Sequence, residues 1–156
     1  YGPTAQQLAF EYDLFLNQLD NGYRADLCAW QWNRKFSPLA GKRRTQVKVS
    51  ALLGWQPTGV QLETGVSYDV AAVGNWKIAK DGGAYDADGD NAGRGQLVAV
   101  IFRNFELSDP FPIGKLKSFV SPTQGQLFLR CQDDWNNLAD NAGELTVHIR
   151  RTPQAP

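Results

Sequence analysis

The chain has 156 residues, 42% of them hydrophobic, enough to bury one core and to form one domain with a small appendage. Its 16 basic and 16 acidic side chains cancel, so no overall field draws it to a nucleic-acid backbone or to an anionic membrane surface. No apolar run approaches the roughly 20 residues that a membrane-spanning helix needs.

From Thr4 to about Asp20, Leu8, Tyr12, Phe15, Leu16 and Leu19 recur at three- and four-residue spacing behind Thr4 as N-cap, which predicts an amphipathic helix. Asn21 and Gly22 stop it. Tyr23 to Phe36 repeats the pattern with Leu27, Trp30 and Trp32, predicting a second helix and hence a helical hairpin over residues 1–40. Trp30, Trp32 and Phe36 are read as the face by which the hairpin docks, with an exposed sugar platform as the alternative. The helix-like opening at Tyr1 and the TPQAP ending lead to the expectation of a segment from a longer, secreted protein, extracellular or periplasmic.

Past Pro38 the periodicity changes, through the basic connector Gly41, Lys42, Arg43 and Arg44. Strands are predicted around Val47 to Ala51, Val60 and Leu62, Tyr68 to Val73, Leu97 to Phe102, Lys117 to Val120, Gln126 to Cys131 and Glu144 to Ile149. Turns are placed at Gly54, Pro57, Gly65, Gly74, Gly114, Pro122 and Gly125. Many short strands without interleaved helices indicate an all-β domain over residues 46–151, an antiparallel β-sandwich or jelly roll. The two-residue period puts Leu145, Val147 and Ile149 inside and leaves His148 exposed. Cys28 and Cys131 fit either one disulfide or two buried thiols.

Two acidic loops carry the candidate chemistry. QDDWNNLADNAG, from Gln132 to Gly143, gathers Asp133, Asp134, Asn136, Asn137, Asp140 and Asn141 in one short connection. A hard cation such as calcium takes six to eight oxygens of this kind; the same residues also build ordinary turns. DGGAYDADGDNAGRG, from Asp81 to Gly95, sets Asp86, Asp88 and Asp90 at alternate positions in the manner of an EF-hand. Asn91 then stands where that loop needs Gly, and Leu97 where it needs a bidentate carboxylate. A glycosidase would need a spaced carboxylate pair, such as Asp133 with Asp86, Asp88 or Asp90, and nothing in the sequence sets that spacing.

From about Val60 onward the chain resembles the galactophilic calcium-dependent lectins of the PA-IL type. The resemblance rests on Asp133, Asn137, Asp140, Asn141 and Ala142 followed by GELTVHI from Gly143, on SFVSPTQGQLFLRCQDD before them, and on TGVQLETGVSYDVAAVGNW further upstream. It implies a sandwich of galactose-binding-like type and a calcium site in which Asp133 gives a carboxylate, Asp140 and Asn141 give side-chain oxygens, and Asn137 and Ile78 give main-chain carbonyls. Two vicinal sugar hydroxyls would complete the ion's shell, so Asp133, Asp140 and Asn141 would also meet the sugar. The chain departs from the family at Asp140, where an Asn is common, and at Trp135, where Pro is common; Trp135 is either a platform for a pyranose face or a turn residue folded onto the sandwich. The family's second-loop His and Gln have no counterpart, and Asp86, Asp88, Asn91, Arg94 or Gln96 would replace them, with Asp88 and Gln96 as the leading candidates.

The expectation is therefore a non-catalytic, calcium-dependent carbohydrate-binding module for a galactoside or another sugar with vicinal hydroxyls. Its other expected partners are a second copy of the chain or a neighbouring domain, with no nucleic acid and no membrane. The alternative is a structural or protein-interaction sandwich that ends a larger secreted enzyme and has lost the sugar.

Overall fold

A computed structural model describes residues 4–20 and 35–154. One helix, α1 (Ala5–Asp20), precedes the strands β1 (Ser37–Pro38), β2 (Arg44–Ser50), β3 (Gln56–Leu62), β4 (Ser67–Val73), β5 (Trp76–Lys77), β6 (Ala84–Tyr85), β7 (Leu97–Arg103), β8 (Glu106–Leu107), β9 (Phe111–Pro112), β10 (Leu116–Val120), β11 (Gly125–Cys131) and β12 (Ala142–Arg151). A 3₁₀ segment, η1 (Trp135–Asp140), lies between the last two. Among the described residues these form two six-stranded sheets, one ordered β1-β3-β11-β7-β8 with β9 also on β7, the other ordered β10-β4-β12-β5-β6 with β2 also on β12.

The alternating strands bury one face each, as their period requires. Val47 and Val49 of β2, Tyr68, Val70 and Ala72 of β4, and Leu145, Val147 and Ile149 of β12 meet Val60, Leu62, Leu97, Ala99, Ile101, Leu127 and Leu129 of the facing sheet in one core. Each Val, Leu or Ile among them, fully buried, contributes about 1.5–3 kcal/mol. His148 is exposed on the opposite face. Pro57 and Gly125, read from sequence as turns, belong to β3 and β11, and Arg44 belongs to β2 instead of the connector. Pro57 fits there because β1 pairs with β3 only at Val60 and Gln61, so among the described residues no neighbour on that side asks Pro57 for an N–H.

Strand β7 reads LVAVIF without alternation and is buried throughout that run. A strand of this kind needs cover on both faces. The second face, with Trp55, Val98, Val100, Phe102 and Phe128, is covered by Phe10 of α1 and by Phe36, Phe105, Leu107 and Trp135. Phe10 lies 5.1 Å from Phe102 and Phe36 lies 5.4 Å from Phe128, ring centre to ring centre.

The N-terminal segment corrects one expectation. Thr4 caps α1 as predicted, its Oγ1 accepting from the Gln7 N–H at 3.1 Å. The docked face, however, is Gln7, Phe10, Glu11 and Leu14, while Leu8, Tyr12, Phe15 and Leu16 are exposed. The helix carries apolar residues on two sides, and Phe10 wins because an aromatic cluster awaits it. The second helix of the expected hairpin, Cys28, Trp30 and Trp32 lie outside the described residues. Cys131 is a buried free thiol in the inter-sheet core.

Phe10→Ala is expected to cost about 1–3 kcal/mol in urea unfolding, whereas Leu8→Ala should stay within about 0.5 kcal/mol of the parent. Equal losses would mean that both sides of α1 are packed.

Candidate functional site

Three segments converge where β12 begins. The β5–β12 pairing sets Lys77 against Ala142 and Trp76 against Gly143, and extending that register by one residue sets Ile78 against Asn141. Gly143 takes φ +91°, and a Cβ there would meet Trp76 Cα at 3.1 Å and the Asn75 carbonyl at 3.2 Å, so only glycine lets the two backbones approach this closely. The buried Trp76 indole donates to the Gly95 carbonyl at 2.6 Å. Gln132 donates its N–H to the Gln96 carbonyl at 2.8 Å, and Gly95 donates to the Gln132 carbonyl at 2.6 Å. Residues 76–78, 95–96 and 132–143 thus share one end of the sandwich.

The loop itself is anchored by an apolar side chain. Leu138 of η1 is fully buried against Leu52 and Trp135, and the 3₁₀ turns are closed by Asn137 N–H to Asp134 O and Asn141 N–H to Leu138 O. Asp133 and Asn141 are buried, at 7% and 5% exposure. Asp133 Oδ1 accepts from the Asp134 N–H at 2.9 Å, and Asn141 Nδ2 donates to the Ala51 carbonyl at 3.1 Å. Their other oxygens, Asp133 Oδ2 and Asn141 Oδ1, are buried and have no hydrogen-bond partner among the described residues.

Burial pushes the Asp133 carboxyl above its ordinary range. The Asp134 N–H and the nearby Asn141 side chain pull the other way, and the charges of Asp134 and Asp140 add to the rise. A carboxylate held in this state gains from a cation more than a solvated one does. Asn137 and Asp140 are exposed on η1. No three His, Cys, Asp or Glu side chains gather as a metal cluster among the described residues, so a cation here would depend on Asp133 and Asp140 together with amide and main-chain oxygens.

The remaining candidates are placed differently. Asp88 Oδ1 accepts from the Lys115 N–H at 2.8 Å and Asp88 Oδ2 lies 3.4 Å from Lys115 Nζ, which also lies 3.3 Å from Asp86. The Asp88 carboxylate occupies the space over Gly114, where a Cβ would stand 2.5 Å from Oδ1. Asp90 is turned back onto its own loop, accepting from the Ala92 and Arg94 N–H groups and pairing with the Arg94 side chain. Gln96 is half-buried beside Gln132, one residue from Asp133. Trp135 is half-buried, with the Arg130 guanidinium 3.8 Å from its ring centre.

Arg130 is the residue that sequence reasoning missed. It is 3% exposed, stacks on Trp135 and lies 5.5 Å from the Trp55 ring, and donates to the carbonyls of Cys131 and Asp133. It therefore fixes the main chain on which the Asp133 carboxylate is mounted. The available signal was a charged residue inside the apolar strand QLFLRC. Beside it, burial pushes the Cys131 thiol up to about 12, with the Asp133 charge adding and Arg130 opposing.

The chain matches no protein-family model and no curated protein. Among solved structures it is similar to the N-terminal domain of EclA, a PllA-like lectin, at 25% identity over 69% of this chain and 96% of that one, with a TM-score of 0.56. It also aligns with the IMPa metallopeptidase in complex with T-antigen, at 12% identity over 79% of this chain and 14% of that one, with a TM-score of 0.43. The sandwich is thus lectin-like in fold.

Arg130→Lys is expected to cost about 2 kcal/mol in chemical denaturation, since an ammonium cannot span two carbonyls and stack on an indole. Amide exchange at Asp134 should quicken at the same time. An unchanged midpoint with unchanged exchange would show that the guanidinium does not hold the loop.

Proposed function

We propose that the chain is a non-catalytic carbohydrate-binding module whose site, at the start of β12, depends on calcium. The observation that carries this reading is the pair of buried oxygens, Asp133 Oδ2 and Asn141 Oδ1, that lack any hydrogen-bond partner among the described residues. Leaving such groups unpaired costs free energy, and a hard cation is the partner suited to carboxylate and amide oxygens together. Asp133, Asp140 and Asn141 would hold the ion with their side chains, and Asn137 and Ile78 with their carbonyls. The ion would supply positive charge to orient vicinal sugar hydroxyls, while the chain's own contribution is to keep water and competing donors away from Asp133. The likeness to a PllA-like lectin domain supports a sugar as the ligand class. A secreted setting, where calcium is plentiful, belongs to the same proposal.

A second reading is favoured by two placements. Arg130 covers Trp135 and Lys115 engages Asp88, so two groups proposed to contact sugar already have intramolecular partners. In that reading the loop keeps a structural ion and the sandwich serves as an interaction domain. Gln96, whose main chain pairs with Gln132 next to Asp133, would be the polar group that meets the sugar in the first reading.

Calorimetry with galactosides, other monosaccharides and plant polysaccharides separates the two, run first with calcium and then with chelator. The lectin reading expects sugar heat that vanishes with chelator; calcium heat without any sugar heat selects the structural ion. Calcium at about 100 times its Kd should raise the unfolding free energy by about 2.7 kcal/mol. Asp133→Ala should weaken calcium on the order of 100-fold or more while holding the chelator-state stability within about 1 kcal/mol. Full calcium affinity in that variant would move the site elsewhere.

A further inference from the structure

The far end of β12 carries a second feature, of opposite charge. Strand β12 runs ten residues, which puts Arg151 roughly 30 Å from Ala142 and the candidate cation site. There a cavity of ≈660 Å³ opens between the start of β2, the start of β4 and the end of β12, lined by Lys42, Arg44, Gly65, Ser67, Arg150 and Arg151 among others, with no Asp or Glu in its wall among the described residues. Volumes of this order accommodate small ligands.

Four observations make this a place that lacks an anion. The β2–β12 register sets Arg44 directly opposite Arg150, and like charges facing each other across a ladder destabilise it. Arg150 is compensated from behind by Asp69 at 3.1 Å and Arg151 by Glu63, but Lys42 and Arg44 have no ion-pair partner among the described residues. The Nε of Arg151 is buried without a hydrogen-bond partner. Finally, the chain is neutral overall, so the concentration of Lys42, Arg43, Arg44, Arg150 and Arg151 at one end is a local field and not a reflection of net charge.

We propose that this cavity binds a small anionic ligand of about monosaccharide size, held through a carboxylate, sulfate or phosphate group. Arg44 and Lys42 supply the charge, and the guanidinium fork of Arg44 suits the paired oxygens of such a group. The anion also relieves the repulsion between Arg44 and Arg150. The site needs no calcium and is independent of the loop at Asp133.

The test is a titration of the whole chain, in chelator and at low ionic strength, with sodium phosphate, sodium sulfate and glucuronate, each matched against sodium chloride. Backbone amide shifts and thermal unfolding are the readouts. Saturable shifts at Gly65, Ser67 and Thr152, together with a raised melting temperature, are expected for at least one of the three, and the tightest names the recognised group. Arg44→Ser should weaken that binding at least tenfold yet melt no lower than the parent without anion. Lys117→Ser, a basic residue on β10 away from the cavity, should change neither. Shifts that chloride reproduces, that scatter over the surface, or that survive Arg44→Ser overturn the proposal, as would an equal loss in Lys117→Ser.

Discussion

Strand β12 is the member on which the geometry of both ends depends. It pairs with β2 along one side from Glu144 to Arg150, and along the other with β5 at Ala142 and Gly143 and with β4 from Thr146 to Arg151. Its inward residues Leu145, Val147 and Ile149 are fully buried. Because a one-residue slip would send that whole apolar set to solvent, the register is strongly specified. The same register then dictates what meets at each end. At its start Ala142 is brought level with Lys77 and Gly143 with Trp76, and at its end Arg44 is brought level with Arg150. The placement of functional groups is here a by-product of core packing.

The two ends have opposite electrostatic problems. At the Asp133 end a carboxylate has been taken out of water with its neighbours Asp134 and Asp140 adding negative charge. At the Arg151 end guanidinium groups crowd together with two carboxylates set behind them. Asp69 there is held below the ordinary carboxylate range by hydrogen bonds from Thr152 and Ser118 and then by Arg150, which makes it a firm counter-ion for Arg150 and leaves nothing over for Arg44. A neutral chain can therefore carry two charged sites of opposite sign, each masked by the other in the net count.

Much of the sandwich was legible in the sequence because period-two alternation is a local signal. Val47, Val49 and Ala51, and again Leu145, Val147 and Ile149, declare their buried face unaided. The helix was legible as a helix and not as a face, since Leu8 and Phe10 both lie on apolar stripes and only the aromatic pocket at Phe102 decides between them. In the candidate site, Asp133 and Asn141 stood out as oxygen-bearing residues gathered in one loop, but their burial did not, because it belongs to the folded loop in which Leu138 packs against Leu52 and Trp135. Ile78 was reached through the resemblance, and the ladder that ends next to it joins Lys77 to Ala142 and Trp76 to Gly143, 65 and 67 residues apart in sequence. The attachment of Asp88 to Lys115, 27 residues downstream, and the role of Arg130 are properties of the assembled fold that no local pattern announces.

The doubly buried β7 has a consequence for where the folded unit ends. Periodicity draws a border between residues 40 and 46, separating an appendage from a sandwich. Burial draws none there, because Phe10 and Phe36 roof the aromatic face formed by Trp55, Val98, Val100, Phe102 and Phe128. A fragment cut at that border would keep Phe105, Leu107 and Trp135 on this face but lose Phe10 and Phe36, opening apolar surface of the kind that drives self-association. The N-terminal segment is, in that sense, one wall of the sandwich's second core.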